Sequence, residues 1–364
     1  MSHRLNISFF GSSLVSAVRN PAAAYYRGLI RALSERGHRI TFYEPNTGDA
    51  AKHRDIPNPG WARVVRYPAT DESVLGALEQ AEESDLIIKC SAVGVFDELL
   101  EAAVLELKRP ETLVAFLDAD APATLERLRN DPEDSFRVLI PEYDLIFTRR
   151  GGVPVREAYL AAGAIECVPI QDALDPQMHF PAQREKRFEA GLALMCEHNP
   201  HREARVQEFF FKPAAQMPDK KFLLAGDGWQ DKPVPSNVEC PGRIAAEEHN
   251  AFHSTPLAIL NLNRGCMASY GFSPPAGAFE AAGAGACLMM NKWEGIELFL
   301  EPDREVLVAG NGDEIAAHLR QLTPEKARGT GRAAYARVLA EHTYAHRAER
   351  IEKALEGKEG RVTA

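Results

Sequence analysis

The sequence predicts an α/β fold made of two doubly wound, parallel-sheet domains. Short apolar runs of strand length alternate with amphipathic segments of helix length along the chain. A polar, proline-bearing stretch at residues 173–187 interrupts the alternation once, near the middle, and reads as a linker. The 364 residues are also enough for two domains, each long enough to bury its own core.

The first domain is expected over residues 1–172. Strands fall at 5–10, 38–43, 85–89, 112–117, 144–148 and 166–169, with helices at about 21–36, 71–83, 99–108 and 153–162 between them. Gly37 ends the first helix. The loop after the first strand is serine-rich and lacks GxGxxG, so it does not read as a dinucleotide site. The second domain is expected over 188–340. Its strands fall at 188–195, 222–225, 257–261, 287–290 and 306–308, and its helices at 203–211, 247–252, 273–282, 312–319 and 324–342. An amphipathic helix at 341–356 closes the chain and is expected to pack back on the first domain. There is no repeat of fixed period.

Composition narrows the function. A net charge of −10 and a pI near 5.6 argue against a general nucleic-acid or polyanion binder. The six cysteines are scattered without a CxxC pair, which favours buried free thiols in a reducing compartment over disulfides or zinc. No signal-peptide core and no apolar run of spanning length is visible, so a cytoplasmic protein is expected.

The stretch 273–290, SPPAGAFEAAGAGACLMM, carries the chemistry. Ser273 is a candidate cap and Pro274 a candidate first-turn residue of a helix that stops at the glycines. Strand, loop, helix and strand follow in order here. That order sets the helix N-terminus, with Ala276 and Gly277, at the carboxyl edge of the sheet, where unpaired N–H groups favour a phosphate. Glu280 either accepts hydrogen bonds from a pair of sugar hydroxyls or lies on the wet stripe of the helix. Two facing domains would leave a cleft lined by residues 11–27, 118–120 and 149–152 of the first and 226–229, 241–244 and 264–280 of the second. Gly226 and Asp227 follow a strand, so their main chain can approach a ligand closely. Trp229 reads equally as interdomain packing or as a binding platform. Arg149 and Arg150 read as surface arginines or as a site for an acidic acceptor.

The second domain resembles the nucleotide-sugar-binding half of a GT-B glycosyltransferase. More closely, nearly the full chain resembles the CgeB-like family, named for spore maturation. The segments that carry the resemblance are 270–275 (YGFSPP, with Tyr270), 279–286 (FEAAGAGA), 293–297, 301–308 and 340–347, with 54–59, 118–125 and 173–176 upstream. The resemblance implies two Rossmann-like domains facing across a cleft, a nucleoside-diphosphate sugar as donor on the second and an acceptor on the first. It implies no cofactor and no metal. Glu280 matches the second glutamate of the related E-x7-E motif, which holds the nucleotide ribose; the first falls at Phe272. The loop 241–244 then reads the base, with Arg243 able to stack on it. Three positions depart from the family pattern: Ala22 in place of a histidine, Cys196-Glu197 in place of Gly-Asn, and Gly277 in place of an arginine. Arg264 or Lys292 could supply the missing charge.

Asp118 and Asp120 end a strand where a catalytic carboxylate could reach the cleft. Alternatively, Asp120 caps the following helix. The DxD look of the pair is weak evidence for a metal. Three functions follow in order: a glycosyltransferase with an unidentified acceptor; a degenerate, non-catalytic nucleotide-binding or interaction protein; and a nucleotide-sugar epimerase. A homo-oligomer is compatible with each.

Overall fold

Apolar runs without polar alternation, such as Leu-Ile-Ile in β4 (Leu86–Cys90), need cover on both faces of a sheet, and a parallel sheet flanked by helices supplies it. The computed structural model describes residues 4–17, 20, 22–47, 54–263 and 274–362, with side chains through 356. The chain divides into two compact units, Met1–Asp172 with Tyr344–Ala364, and Ala173–Thr343.

Among the described residues, the first unit holds seven parallel strands. β3 (Arg63–Pro68), β2 (Arg39–Asn46) and β1 (Asn6–Phe10) lie to one side, followed by β4, β5 (Leu113–Asp118), β6 (Leu145–Thr148) and β7 (Cys167–Pro169). Strand order reverses between β1 and β4. The Ala23–Glu35 helix buries Tyr25, Tyr26, Leu29 and Leu33. Gly28 on it lies under the Tyr344 ring, where a Cβ would meet Tyr344 Cδ2 at 2.3 Å. The last helix, Tyr344–Val362, therefore belongs to this unit.

Among the described residues, the second unit holds six parallel strands in the order β10 (Val238–Gly242), β9 (Phe222–Ala225), β8 (Leu192–Met195), β11 (Ile259–Asn261), β12 (Leu288–Asn291), β13 (Leu307–Ala309). Alternate residues serve opposite faces. Leu192, Leu194, Leu224, Leu260 and Met289 join Phe209–Phe211 in one core. Ala193, Leu223, Ile259, Leu288 and Met290 join Phe279 and Phe299 in the other. Order reverses here between β8 and β11.

Three elements differ from the sequence expectation. β3 and β10 were not expected; each is the outermost strand on its side of the sheet, and each contains proline, which an edge strand tolerates. The stretch 173–187 lies in the second unit rather than forming a free linker. Leu174 is fully buried, its N–H bonds His342 O at 2.8 Å, and it is bridged to Thr343. Gly283 lies against this stretch, where a Cβ would meet Leu174 Cδ1 at 2.3 Å.

Candidate functional site

In open parallel sheets, ligands sit outside the carboxyl ends of the strands where strand order reverses. In the second unit that places the loops after β8 and β11 at the centre. The helix that follows β8 begins at Pro200, and its first turn is capped: Asn199 Oδ1 accepts from His201 N at 2.9 Å. The helix Ala276–Gly283 has no side-chain cap, and its cap residue is Pro275. Pro274 therefore precedes the helix instead of opening its first turn. Ser273, Arg264 and Tyr270 lie outside the described residues, as does Phe272.

The buried face of the Ala276–Gly283 helix is Ala278, Phe279, Ala281 and Ala282. Ala276, Gly277 and Glu280 fall on the other face at helical spacing, so the Glu280 carboxylate stands one turn behind the free N–H end. Glu280 is half-buried and, among the described residues, makes no hydrogen bond or ion pair. Gly277 has a local reason to lack a side chain: Asn261 Nδ2 donates to Gly277 O at 3.2 Å, and a Cβ at 277 would meet Asn261 Oδ1 at 3.0 Å. A side chain at 277 would therefore need the Asn261 carboxamide to give way by a few tenths of an ångström.

Sequence reasoning missed Asn263. Its N–H donates to Asn291 Oδ1 at 2.8 Å, its side chain is only 2% exposed, and neither amide atom has a partner. Burying an unsatisfied carboxamide costs roughly 1–3 kcal/mol. No periodicity marks such a residue; only the count of partners does. Lys292, just past β12, is exposed at the same edge.

The loop after β9 approaches that after β8 closely. Gly226 has φ +133°, and a Cβ there would meet Cys196 O at 2.3 Å. Asp227 O accepts from His198 N at 2.8 Å, while the Asp227 side chain is exposed. Glu197 and Arg243 are exposed as well. Trp229 is no platform: it is 1% exposed in the core of its own unit, edge-on to His198 and Phe211, with Nε1 donating to Cys196 O at 2.6 Å.

The corresponding edge of the first unit is tied down by its own side chains. Glu44 accepts from Ser13 Oγ at 3.1 Å and Leu14 N at 2.7 Å. Asp55 accepts from both Arg27 terminal nitrogens, at 2.8 and 2.7 Å, and from Ala17 N at 2.9 Å. Ala22 is buried. Asp118 is fully buried, with Tyr159 Oη donating to Oδ2 at 2.5 Å, and Ser91 Oγ and Asp120 N donating to Oδ1 at 3.1 and 3.0 Å. Burial raises its pKa, and the Tyr159 hydrogen bond pulls the other way. Asp118 is thus a tie for its loop and is closed to substrate in this structure. Asp120 is half-buried at the cap position of the helix Ala121–Asn130, without a side-chain cap bond. Arg149 is not a surface arginine. It is buried, pairs with Asp172 at 2.8 Å and lies over the Tyr25 ring at 5.0 Å.

Among the described residues, no group of three or more His, Cys, Asp or Glu side chains is placed to hold a metal ion, and no helix is long and apolar enough to cross a membrane. Cys90, Cys167, Cys196, Cys240 and Cys287 are free thiols; Cys266 lies outside the described residues.

Residues 202–353 match a family model described as glycosyl transferase-like. No curated protein matches the chain. Among solved structures, HepE of Anabaena in complex with UDP and glucose is similar at 14% identity, over 97% of this chain and 100% of that one, with a TM-score of 0.67. Sucrose-phosphate synthase from Thermosynechococcus elongatus is similar at 14% identity, over 97% and 98%, with a TM-score of 0.66. The DNA-modifying β-glucosyltransferase, solved with and without uridine diphosphoglucose, is similar at 12% identity, over 97% and 98%, with a TM-score of 0.60. The fold is that of the GT-B glycosyltransferases.

Proposed function

We propose that the chain is a glycosyltransferase that takes its sugar from a nucleoside-diphosphate sugar. The donor diphosphate lies against the amino end of the Ala276–Gly283 helix, and the ribose hydroxyls bond Glu280. One observation carries this reading: an uncapped helix N-terminus at the carboxyl edge of the sheet, with an unpartnered carboxylate on the same face one turn further in. A helix N-terminus stabilises an anion by about 0.3–1 kcal/mol when exposed and up to ~2 kcal/mol when partly buried. The glycosyl transferase-like match over 202–353 and the UDP-bound state of a GT-B neighbour support the reading. Membership in the CgeB-like family is part of the proposal and rests on the motifs at 270–286.

The leaving group is the nucleoside diphosphate, and its developing charge is met by helix N–H groups and by Lys292, with no divalent metal. Asn263 offers an amide to the same charge or to the nearby sugar. Gly226 lets main chain approach the nucleotide, and Arg243 is free to cover the base. The acceptor falls to the first unit. There Asp120, the more exposed of the aspartate pair, is the candidate to take the hydroxyl proton, while Asp118 holds its backbone. Five free cysteines fit a cytoplasmic setting. Lacking the family's arginine at 277, the site is expected to hold its donor some tenfold to a hundredfold more weakly than one that has it.

Titration calorimetry with UDP, GDP and UMP tests the proposal. A diphosphate should bind more tightly than the monophosphate, with or without EDTA. Glu280→Ala should weaken that binding at least tenfold and leave the melting temperature unchanged. No diphosphate binding at millimolar ligand, or unchanged affinity in the variant, overturns it.

A further inference from the structure

The opposite end of the same helix borders a cavity of about 360 Å³. It lies where β11 and β12 begin: Leu257 and Cys287, both just ahead of those strands, line it. Pro256, Ala284 and Ala286 complete an apolar floor. One face of the Pro324–Glu341 helix forms the wall, with Ala327, Arg328, Arg332 and Tyr335 at successive turns. Gly331 makes this approach possible, because a Cβ there would meet Gly285 O at 2.2 Å.

The charge around the cavity is one-sided. The chain carries a net charge of −10, yet no lining residue is acidic. Arg328 and Arg332 are exposed, one turn apart, and among the described residues neither has a hydrogen bond or ion pair. The negative end of the Ala276–Gly283 helix, which would repel an anion, is already satisfied. Gly285 N bonds Ala282 O at 2.9 Å, Ala286 N bonds Ala281 O at 3.0 Å, and Ser254 Oγ donates to Ala284 O at 2.9 Å. An apolar floor beneath two unpaired guanidinium groups suits neither a bare phosphate, which leaves the floor empty, nor a neutral hydrocarbon, which leaves the like charges uncompensated. The volume is within the range of small-molecule sites.

We infer that this cavity is a second ligand site, for a small amphipathic anion. Its flat apolar body lies on Leu257, Ala286 and Cys287, and its single carboxylate, sulfonate or phosphate group bridges Arg328 and Arg332. The site is independent of the donor site, since it uses the other end of the helix and none of the donor residues.

Two fluorescent probes of similar shape test it on the full chain: anilinonaphthalene sulfonate and its uncharged counterpart phenylnaphthylamine. The sulfonate should bind saturably, weaken at least tenfold in Arg328→Ala/Arg332→Ala, and be unaffected by UDP. The uncharged probe should change less than twofold in the same variant. Ala182→Trp, at the half-buried mouth, should block both probes. Circular dichroism melting checks that each variant is folded. A sulfonate affinity unchanged in the double variant, equal loss of both probes there, or displacement by UDP overturns the inference. UDP binding that fails while the sulfonate still behaves as described would reject the donor proposal and leave this site standing.

Discussion

In the first sheet, Glu44, Asp55 and Asp118 hold the loops that follow β1 and β4, each taken up by neighbouring hydroxyls, amides or a guanidinium. At the reversal point of the second sheet, Glu280 and the Asn263 side chain have no partner among the described residues, and the nearby helix has no side-chain cap. Topology is shared; the use of polar groups is opposite. A carboxylate whose lone pairs are filled by its own chain fixes a loop. One left open, beside an uncapped helix, is available to a ligand that brings its own donors. The difference separates scaffold from site without reference to which residue types are present, since acidic side chains occur at both.

The largest effect is expected on the filled side. Asp118→Ala leaves the Tyr159 hydroxyl and the Ser91 hydroxyl without their acceptor in a closed interior, and should cost the first unit roughly 3 kcal/mol in denaturant unfolding. A loss below about 1 kcal/mol would mean that Asp118 is not the tie described. On the open side, Asn263→Leu removes a buried carboxamide that bonds nothing. It should stabilise the free protein by roughly 1 kcal/mol while weakening nucleotide binding about tenfold. Stability gained without loss of binding would take Asn263 out of the donor site.

The smallest effect concerns the last helix. The side chain of Glu352 meets Arg36, and its Oε1 is 2.9 Å from His38 Nε2; the Arg36 hydrogen bond holds its carboxyl below the usual glutamate value of 4.5. A depressed carboxyl stabilises the folded state above its unfolded pKa, and that contribution fades as the pH falls through the folded value. Glu352→Gln should therefore lower the melting temperature at neutral pH and flatten the decline below about pH 4.5. An acid limb as steep as that of the unmodified chain would assign the decline to other groups.

Much of the fold was readable because its central strands are continuous apolar runs. β3 and β10 escaped because edge strands carry the charged residues and prolines that also mark loops. Glu280 stood out as the one charge on an apolar helix. Asp118 stood out equally, and only its hydrogen bonds and full burial show that it is spent. Trp229 could be read as packing or as a platform and Arg149 as a surface group, yet each is buried by residues distant in the chain. The second cavity could not be read at all, since its lining comes from separate segments around 181–184, 254–257, 284–287 and 324–335.

The second unit is continuous from Ala173 to Thr343, whereas the first is completed by the helix that starts at Tyr344. During synthesis the ribosome therefore releases every residue of the second unit before the Tyr344 ring can cover Gly28. The unit translated first is the last to be completed, and the surface around Gly28 stays uncovered for the length of one entire intervening domain.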